Sequence, residues 1–282
     1  MTPSISAARS GRISLSIALL ALTSMGVVGC SKLQARDKLN KGVQAYKAQQ
    51  FNTAIEMFKS AKELDPTLLN ARLYLATAYA NLYVAGVTTE DNINRGNQAI
   101  AEFQDVLRTD PKNLSAIDGI GSMIFQMGGQ PYEPKKLEES RSYHMKHSEI
   151  KGDDPEPYYW VGVIDWTLAF RGNADIRTEY NKTNIRKPIK DTDPLPAKLR
   201  DEFAAKYGPA IDEGIARLKK AIEVRPDYDD AMAYLNLLYR QKADAVDNSD
   251  DRNKYLADAD ALIDKVKEIK QKKLEKSSEP KA

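Results

Sequence analysis

The chain has 282 residues, 42% apolar and 29% charged, which is enough to bury the core of one or two domains and too apolar for a wholly disordered polymer. Residues 1–29 hold Arg9 and Arg12 and no acid, so the remainder carries 40 basic against 40 acidic residues. Balanced charge excludes the electrostatic footprint of a nucleic-acid binder, and a single cysteine excludes a disulfide framework.

Taken in chain order, the N-terminus reads first as an export signal over 1–29. Arg9 and Arg12 precede the apolar run ISLSIALLALTSMGVVG, Ile13 to Gly29, which is short for a membrane span once its serines and glycines are counted. The run ends on the sole cysteine in VVGC, Val27 to Cys30, and this resembles the lipobox of bacterial lipoproteins. The resemblance implies cleavage before Cys30 and acylation of its thiol and amine. Ser31, with no aspartate after the cysteine, resembles lipoproteins delivered to the outer membrane and facing the periplasm. A plain secretory signal or an uncleaved anchor are the alternatives. Residues 30–36 then form a short tether, with a reach of about 20 Å at full extension.

Next comes a repeated segment. AIEMFKSAKELDP, Ala54 to Pro66, returns as AIAEFQDVLRTDP, Ala99 to Pro111, and as GIARLKKAIEVRP, Gly214 to Pro226. The set Ala54, Phe58, Ala61, Pro66 is spaced four, three and five apart, as are Ala99, Phe103, Val106, Pro111 and Gly214, Leu218, Ala221, Pro226. Steps of four and three keep residues on one helical face. The small residues admit a neighbouring helix, and the proline stops the helix because it lacks an N–H and disfavours helix just before itself.

A second register follows ten residues after each proline, at Ala76, Gly121 and Asn236, each inside an apolar-periodic segment. The unit is therefore a helical hairpin. With Gly42 and Phe51 ahead of Ala54, the first unit spans about 34 residues and resembles a tetratricopeptide repeat. Lys38 and Lys41 depart from that pattern, standing where an aromatic residue and a leucine are usual. Ser140, His144, His147 and Gly152 keep the spacing without the proline, and Gly162 follows ten later, so this segment is accepted as a degenerate unit.

Insertions separate the paired helices. Thr88 with Asp91 three later signals a cap for the helix running toward Phe103. The largest insertion, 171–208, is polar and proline-broken, then offers a short helix with Leu199, Phe203 and Tyr207 on one side; Gly208 and Pro209 mark a joint with the next repeat helix. A helix over 229–245 and an amphipathic one carrying Tyr255, Ala259, Leu262, Val266 and Ile269 close the array, with 271–282 a disordered basic tail. The expected fold is all-α: a right-handed solenoid of about five tetratricopeptide-like hairpins over 37–270, stabilised by stacking of neighbours.

That resemblance implies a concave groove lined by the first helix of each hairpin, where a protein or peptide ligand binds. The matching positions are Asn70, Leu73, Thr77 and Asn81, then Ser115, Asp118 and Ser122, then Tyr159, Val163 and Trp166. Tyr159 and Trp166 share a face and suit a binding hot spot, or else they pack against the 171–208 insertion. The paired basic residues of peptide-carboxylate clamps are missing from these positions.

Chemistry finds little support in the residues. His144 and His147 lie three apart on a helix but occupy packing positions with no third ligand, which favours core histidines over a metal. There is no phosphate loop, no nucleophile elbow and no cofactor signature. Asp153 with Asp154 and Asp229 with Asp230 sit at helix starts, where carboxylates need no catalytic role. The expectation is a non-enzymatic scaffold held to the membrane through Cys30. The alternative is an envelope enzyme or carbohydrate-handling protein using 171–208 with Trp160, Trp166, Tyr180, Asp191 and Asp193.

Overall fold

The computed structural model describes residues 30–278; the expected signal over 1–29 and the end of the tail, 279–282, lie outside the described residues. All regular structure among the described residues is helical: α1 over 30–47, α2 Phe51–Leu64, α3 Leu69–Leu82, α4 Glu90–Thr109, α5 Leu114–Gly129, α6 Pro134–Ile150, α7 Pro155–Thr183, α8 Ala197–Val224, α9 Asp229–Ala243 and α10 Ser249–Ser278. The chain divides into two compact units between Gly119 and Ile120, within α5.

The repeat register lies in the interior of both units. In the first, Ala54, Phe58, Ala61, Ala99 and Val106 are fully buried and Phe103 nearly so. In the second, Leu218 and Ala221 are fully buried, and a Cβ on Gly214 would stand 2.9 Å from Asp165 Cβ. Small residues sit where another chain segment comes closest: a Cβ on Gly42 would lie 2.4 Å from the Phe58 ring, and one on Gly162 would lie 2.3 Å from Leu218 Cγ.

Each proline ends its helix in the same way. Helices α2, α4 and α8 stop two residues before Pro66, Pro111 and Pro226, and the intervening Asp65, Asp110 and Arg225 return their N–H groups to Ala61, Val106 and Ala221. The carbonyl of each of these residues then accepts from the residue three on, at 3.0–3.1 Å, giving three copies of one tight turn with proline second. At Lys151 the same turn forms with Gly152 in the proline's place, Asp154 N–H reaching Lys151 O at 3.4 Å. The degenerate unit is therefore a true hairpin of α6 and α7.

Five features differ from the sequence-based expectations. The tether at 30–36 is helical, and Ala35 is already fully buried, so at 1.5 Å per residue Cys30 stands about 8 Å along the axis from packed structure. The N-cap of α4 is Thr89, whose hydroxyl accepts from Asn92 N–H, rather than Thr88. The 171–208 insertion is largely helix: α7 continues to Thr183 and α8 starts at Ala197, leaving 184–196 as loop.

No joint forms at Gly208 and Pro209, because α8 runs through them. Proline opposes helix partly by crowding the Cβ of the preceding residue, and Gly208 has none; Phe203, Ile211 and Leu218 then bury a continuous face. The tail is helical to Ser278, held by Lys272 to Glu268 at 2.5 Å and by Lys273 to Asp229 of α9 at 2.6 Å.

Candidate functional site

In the first unit, α3 presents Asn70, Leu73, Tyr74 and Thr77 at the spacing of one helical face. Asn70, Leu73 and Thr77 line a depression of about 290 Å³ together with Ser115 from α5 and the edge of Phe103. Four of the expected groove residues thus converge. Tyr74, 38% exposed and stacked on Phe58 at 5.5 Å, completes the lining. It was legible as the member one turn beyond Asn70, whereas Phe103 was hidden by its role in the core register.

The polar groups of this face are partly engaged. The Thr77 hydroxyl donates to Leu73 O at 2.8 Å, and Asn81 donates to Thr77 O and to Tyr46 Oη, each at 2.8 Å. Asn81 and Asp118 fall outside the depression. Around it, Lys62 meets Glu102 at 2.5 Å and Arg72 meets Asp105 at 2.8 Å, tying α2 and α3 to α4.

In the second unit the expected residues separate. Ser122 is half-buried. Val163 is 3% exposed and offers no surface to a ligand, because α6, α8 and α9 all pack on α7 and cover more of its circumference than a groove helix allows. Tyr159 joins an aromatic group with Trp160, Tyr228 and Tyr234, at ring separations of 5.2–5.6 Å, and burial pushes its phenol well above the usual range. It packs on α9 rather than on the insertion.

Trp166 stacks on Phe170 at 5.2 Å and lines a cleft of about 400 Å³ with Asp191 and Thr192 from the 184–196 loop. Trp160 is elsewhere, stacked on His144 at 5.6 Å, and Tyr180 and Asp193 do not line the cleft.

His144 and His147 are buried, at 1% and 4% exposure. Burial first, then the neighbouring His147, depresses His144 to about 4, so it is neutral at ordinary pH. No group of three or more potential metal ligands converges among the described residues. Asp154 caps α7, accepting from Glu156 N–H at 3.1 Å, and Asp229 and Asp230 occupy the first turn of α9.

The 184–196 loop is fastened to the second unit. Arg177, 5% exposed, donates to Asn173 Oδ1, Lys190 O and Asp244 Oδ2 at 2.6–2.7 Å, while Asn181 exchanges hydrogen bonds with Ile189 at 2.8–2.9 Å. Replacing Arg177 by alanine removes the donors of three short bonds, an expected loss of about 2–3 kcal/mol. Trypsin cleavage after Arg186 should accelerate, and Arg177→Lys should not restore protection because one ammonium cannot span the fork; an unchanged cleavage rate would refute the fastening.

Helices in pairs, short turns led by proline, and small residues at the close approaches define a tetratricopeptide-like helical-hairpin protein. No family model matches the chain, and no curated protein matches it in sequence. Among solved structures, a MamA protein aligns with a TM-score of 0.54 at 16% identity, over 82% of this chain and 93% of that one. MamA from Desulfovibrio magneticus RS-1, residues 41 to the end, aligns with a TM-score of 0.55 at 13% identity, over 85% and 96%. YrrB, described as a TPR protein with an unusual peptide-binding site, gives 0.48 at 14% identity, over 80% and 84%. The two MamA likenesses show the fold: all-α and tetratricopeptide-like.

Proposed function

We propose that the protein is a non-enzymatic scaffold of the bacterial cell envelope, anchored by lipid at Cys30, that holds a polypeptide segment of a partner in the depression on α3 and α5. The observation that carries this reading is the convergence of Asn70, Leu73, Thr77 and Ser115 with the exposed Tyr74 ring. The ring supplies apolar area at low entropic cost, and the side chains of Asn70 and Ser115 offer donors and acceptors to a peptide backbone. Such a pairing suits a chain captured in extended form.

The anchor is supported by the VVGC segment and by the exposure of Cys30 on α1. Burial of acyl chains contributes about 0.8 kcal/mol per CH₂, so several chains on one residue hold a protein on a bilayer nearly permanently. With α1 packed from Ala35 onward, the scaffold lies against the membrane, and we assign that membrane to the outer one, facing the periplasm.

Photo-crosslinking from position 70 in intact cells, with Cys30→Ser and Tyr74→Ala chains beside the parent, tests both halves. The cysteine change should move the protein to the soluble fraction. Tyr74→Ala should abolish a discrete crosslinked species while leaving the melting temperature within a few degrees. A crosslink pattern indifferent to Tyr74 removes the groove reading, and membrane retention without Cys30 removes the anchor.

A further inference from the structure

The cleft beside Trp166 in the second unit is independent of the groove on α3. Its floor is apolar: Phe170 stacks on Trp166 with the ring planes 21° apart, and Leu237 and Leu256 lie alongside. Phe170 is 45% exposed, so part of its ring is open to the cleft. At about 400 Å³ the cleft falls in the lower range of small-ligand sites.

The rim is polar and internally balanced. Asp244 is matched by Arg177 at 2.7 Å, and Arg240 by Asp260 at 2.5 Å. Two charges are then left over. Arg252 buries its Nε with no acceptor, touches Thr192 O only at 3.4 Å and stands 3.9 Å from Asp244. Asp191, exposed on the loop, has no partner among the described residues. Gln241 spends its carbonyl on Asn173 at 3.0 Å and keeps its amide N–H groups for another acceptor. The cleft therefore offers an aromatic face, donors on one part of its rim and a carboxylate acceptor on another, with one residual charge of each sign.

We propose that this cleft binds a neutral saccharide: the exposed Phe170 ring, backed by Trp166, carries the C–H face of a pyranose ring, Gln241 and Arg252 donate to its hydroxyls, and Asp191 accepts from them. A sugar hydroxyl donates and accepts at once, so a ring with hydroxyls at its edge satisfies both kinds of rim group without bringing a net charge. An anion would meet Asp191 and a cation would meet Arg252. An apolar side chain alone would cover the floor and leave the rim without partners, each unmade bond counting against it. The loop that supplies Asp191 is held by Arg177, which pre-forms the site before a ligand arrives.

The test is a titration of the full chain with maltotriose and with triacetylchitotriose, read by tryptophan emission and by calorimetry. At least one should give a saturable change. Phe170→Ala, at an exposed position, should weaken binding about tenfold or more, and Asp191→Asn several-fold. Tyr74→Ala in the first unit should leave the titration unchanged, which separates this site from the groove. Silence with both saccharides overturns the proposal, as does a response that survives both cleft substitutions. Phe170-dependent binding of an unstructured peptide, with both sugars silent, also overturns it and assigns the cleft to polypeptide.

Discussion

Truncating Phe58 to alanine is expected to cost about 3–5 kcal/mol, the largest loss from any single side chain of the first unit. The ring is fully buried, stands where a Cβ on Gly42 would lie 2.4 Å away, and stacks on Tyr74 at 5.5 Å. It therefore fills the space between α1, α2 and α3 that the small residues leave open. Removing it takes away the transfer free energy of an aromatic side chain and leaves a void, and the neighbours at hand, Ala54, Ala61 and Gly42, are too short to close it.

The consequence reaches the groove, because Tyr74 loses the surface on which it is stacked. Chemical denaturation should show the stability loss, and hydrogen exchange should place the loosening in α1 to α3. The proposed peptide ligand should weaken in parallel. A loss below about 1 kcal/mol would mean that the helices are held by something other than this ring.

How far the sequence was legible follows the same physics. Close helix crossings demand small side chains at fixed steps, so Ala54, Ala99 and Gly214 announced their burial, and proline two residues beyond each helix announced the turn. The degenerate unit was readable for the same reason, since Ser140, His144 and His147 keep the steps and are all buried. What pattern could not show was where polarity is satisfied internally. Residues 171–183 look like a solvated loop, yet Asn173 and Arg177 spend their polar groups on the 184–196 loop and α9, and a Cβ on Gly172 would lie 2.1 Å from the Tyr207 ring.

The prolines that argued against helix, at 188, 194 and 196, all fall within the remaining loop. Val163 failed for the opposite reason. Its face matches a groove position, but α7 is covered on several sides, a tertiary fact that no local spacing records. The cleft beside Trp166 was half-visible: Trp166 and Asp191 of the alternative reading line it and Trp160, Tyr180 and Asp193 do not, while Phe170, Gln241 and Arg252 come from positions with no shared periodicity.

Asp165→Asn is expected to change how stability depends on pH rather than simply to lower it. Asp165 of α7 is fully buried; Arg141 of α6 approaches it with Nε at 2.7 Å, and Glu213 of α8, paired with Arg217 at 2.9 Å, lies 3.7 Å from the same guanidinium. Burial pushes the carboxyl up, Arg141 pulls it down, and burial prevails, leaving it at about 7. The folded chain thus holds this proton more tightly than the unfolded chain, whose carboxyl titrates near 3.8. The contribution of Asp165 to stability is complete in acid and is lost as pH rises through the folded value, by about 2–3 kcal/mol between pH 5 and 8.

His144 acts in the other direction. Its folded value, about 4, lies below the ordinary 6.5, so its contribution is complete above pH 6.5 and is lost as pH falls. In the parent chain the two slopes oppose each other between about pH 5 and 6.5. Removing the titration at Asp165 should therefore expose a stability that climbs with pH, and the asparagine chain should gain on the parent by about 2–3 kcal/mol from pH 5 to 8. Denaturant midpoints measured at half-unit steps decide the matter. A constant gap between the two chains would mean that Arg141 keeps the carboxylate ionised throughout. The Arg141–Asp165 contact would then be an ordinary buried ion pair, and Arg141→Met would cost about 3–5 kcal/mol at every pH rather than chiefly above pH 7.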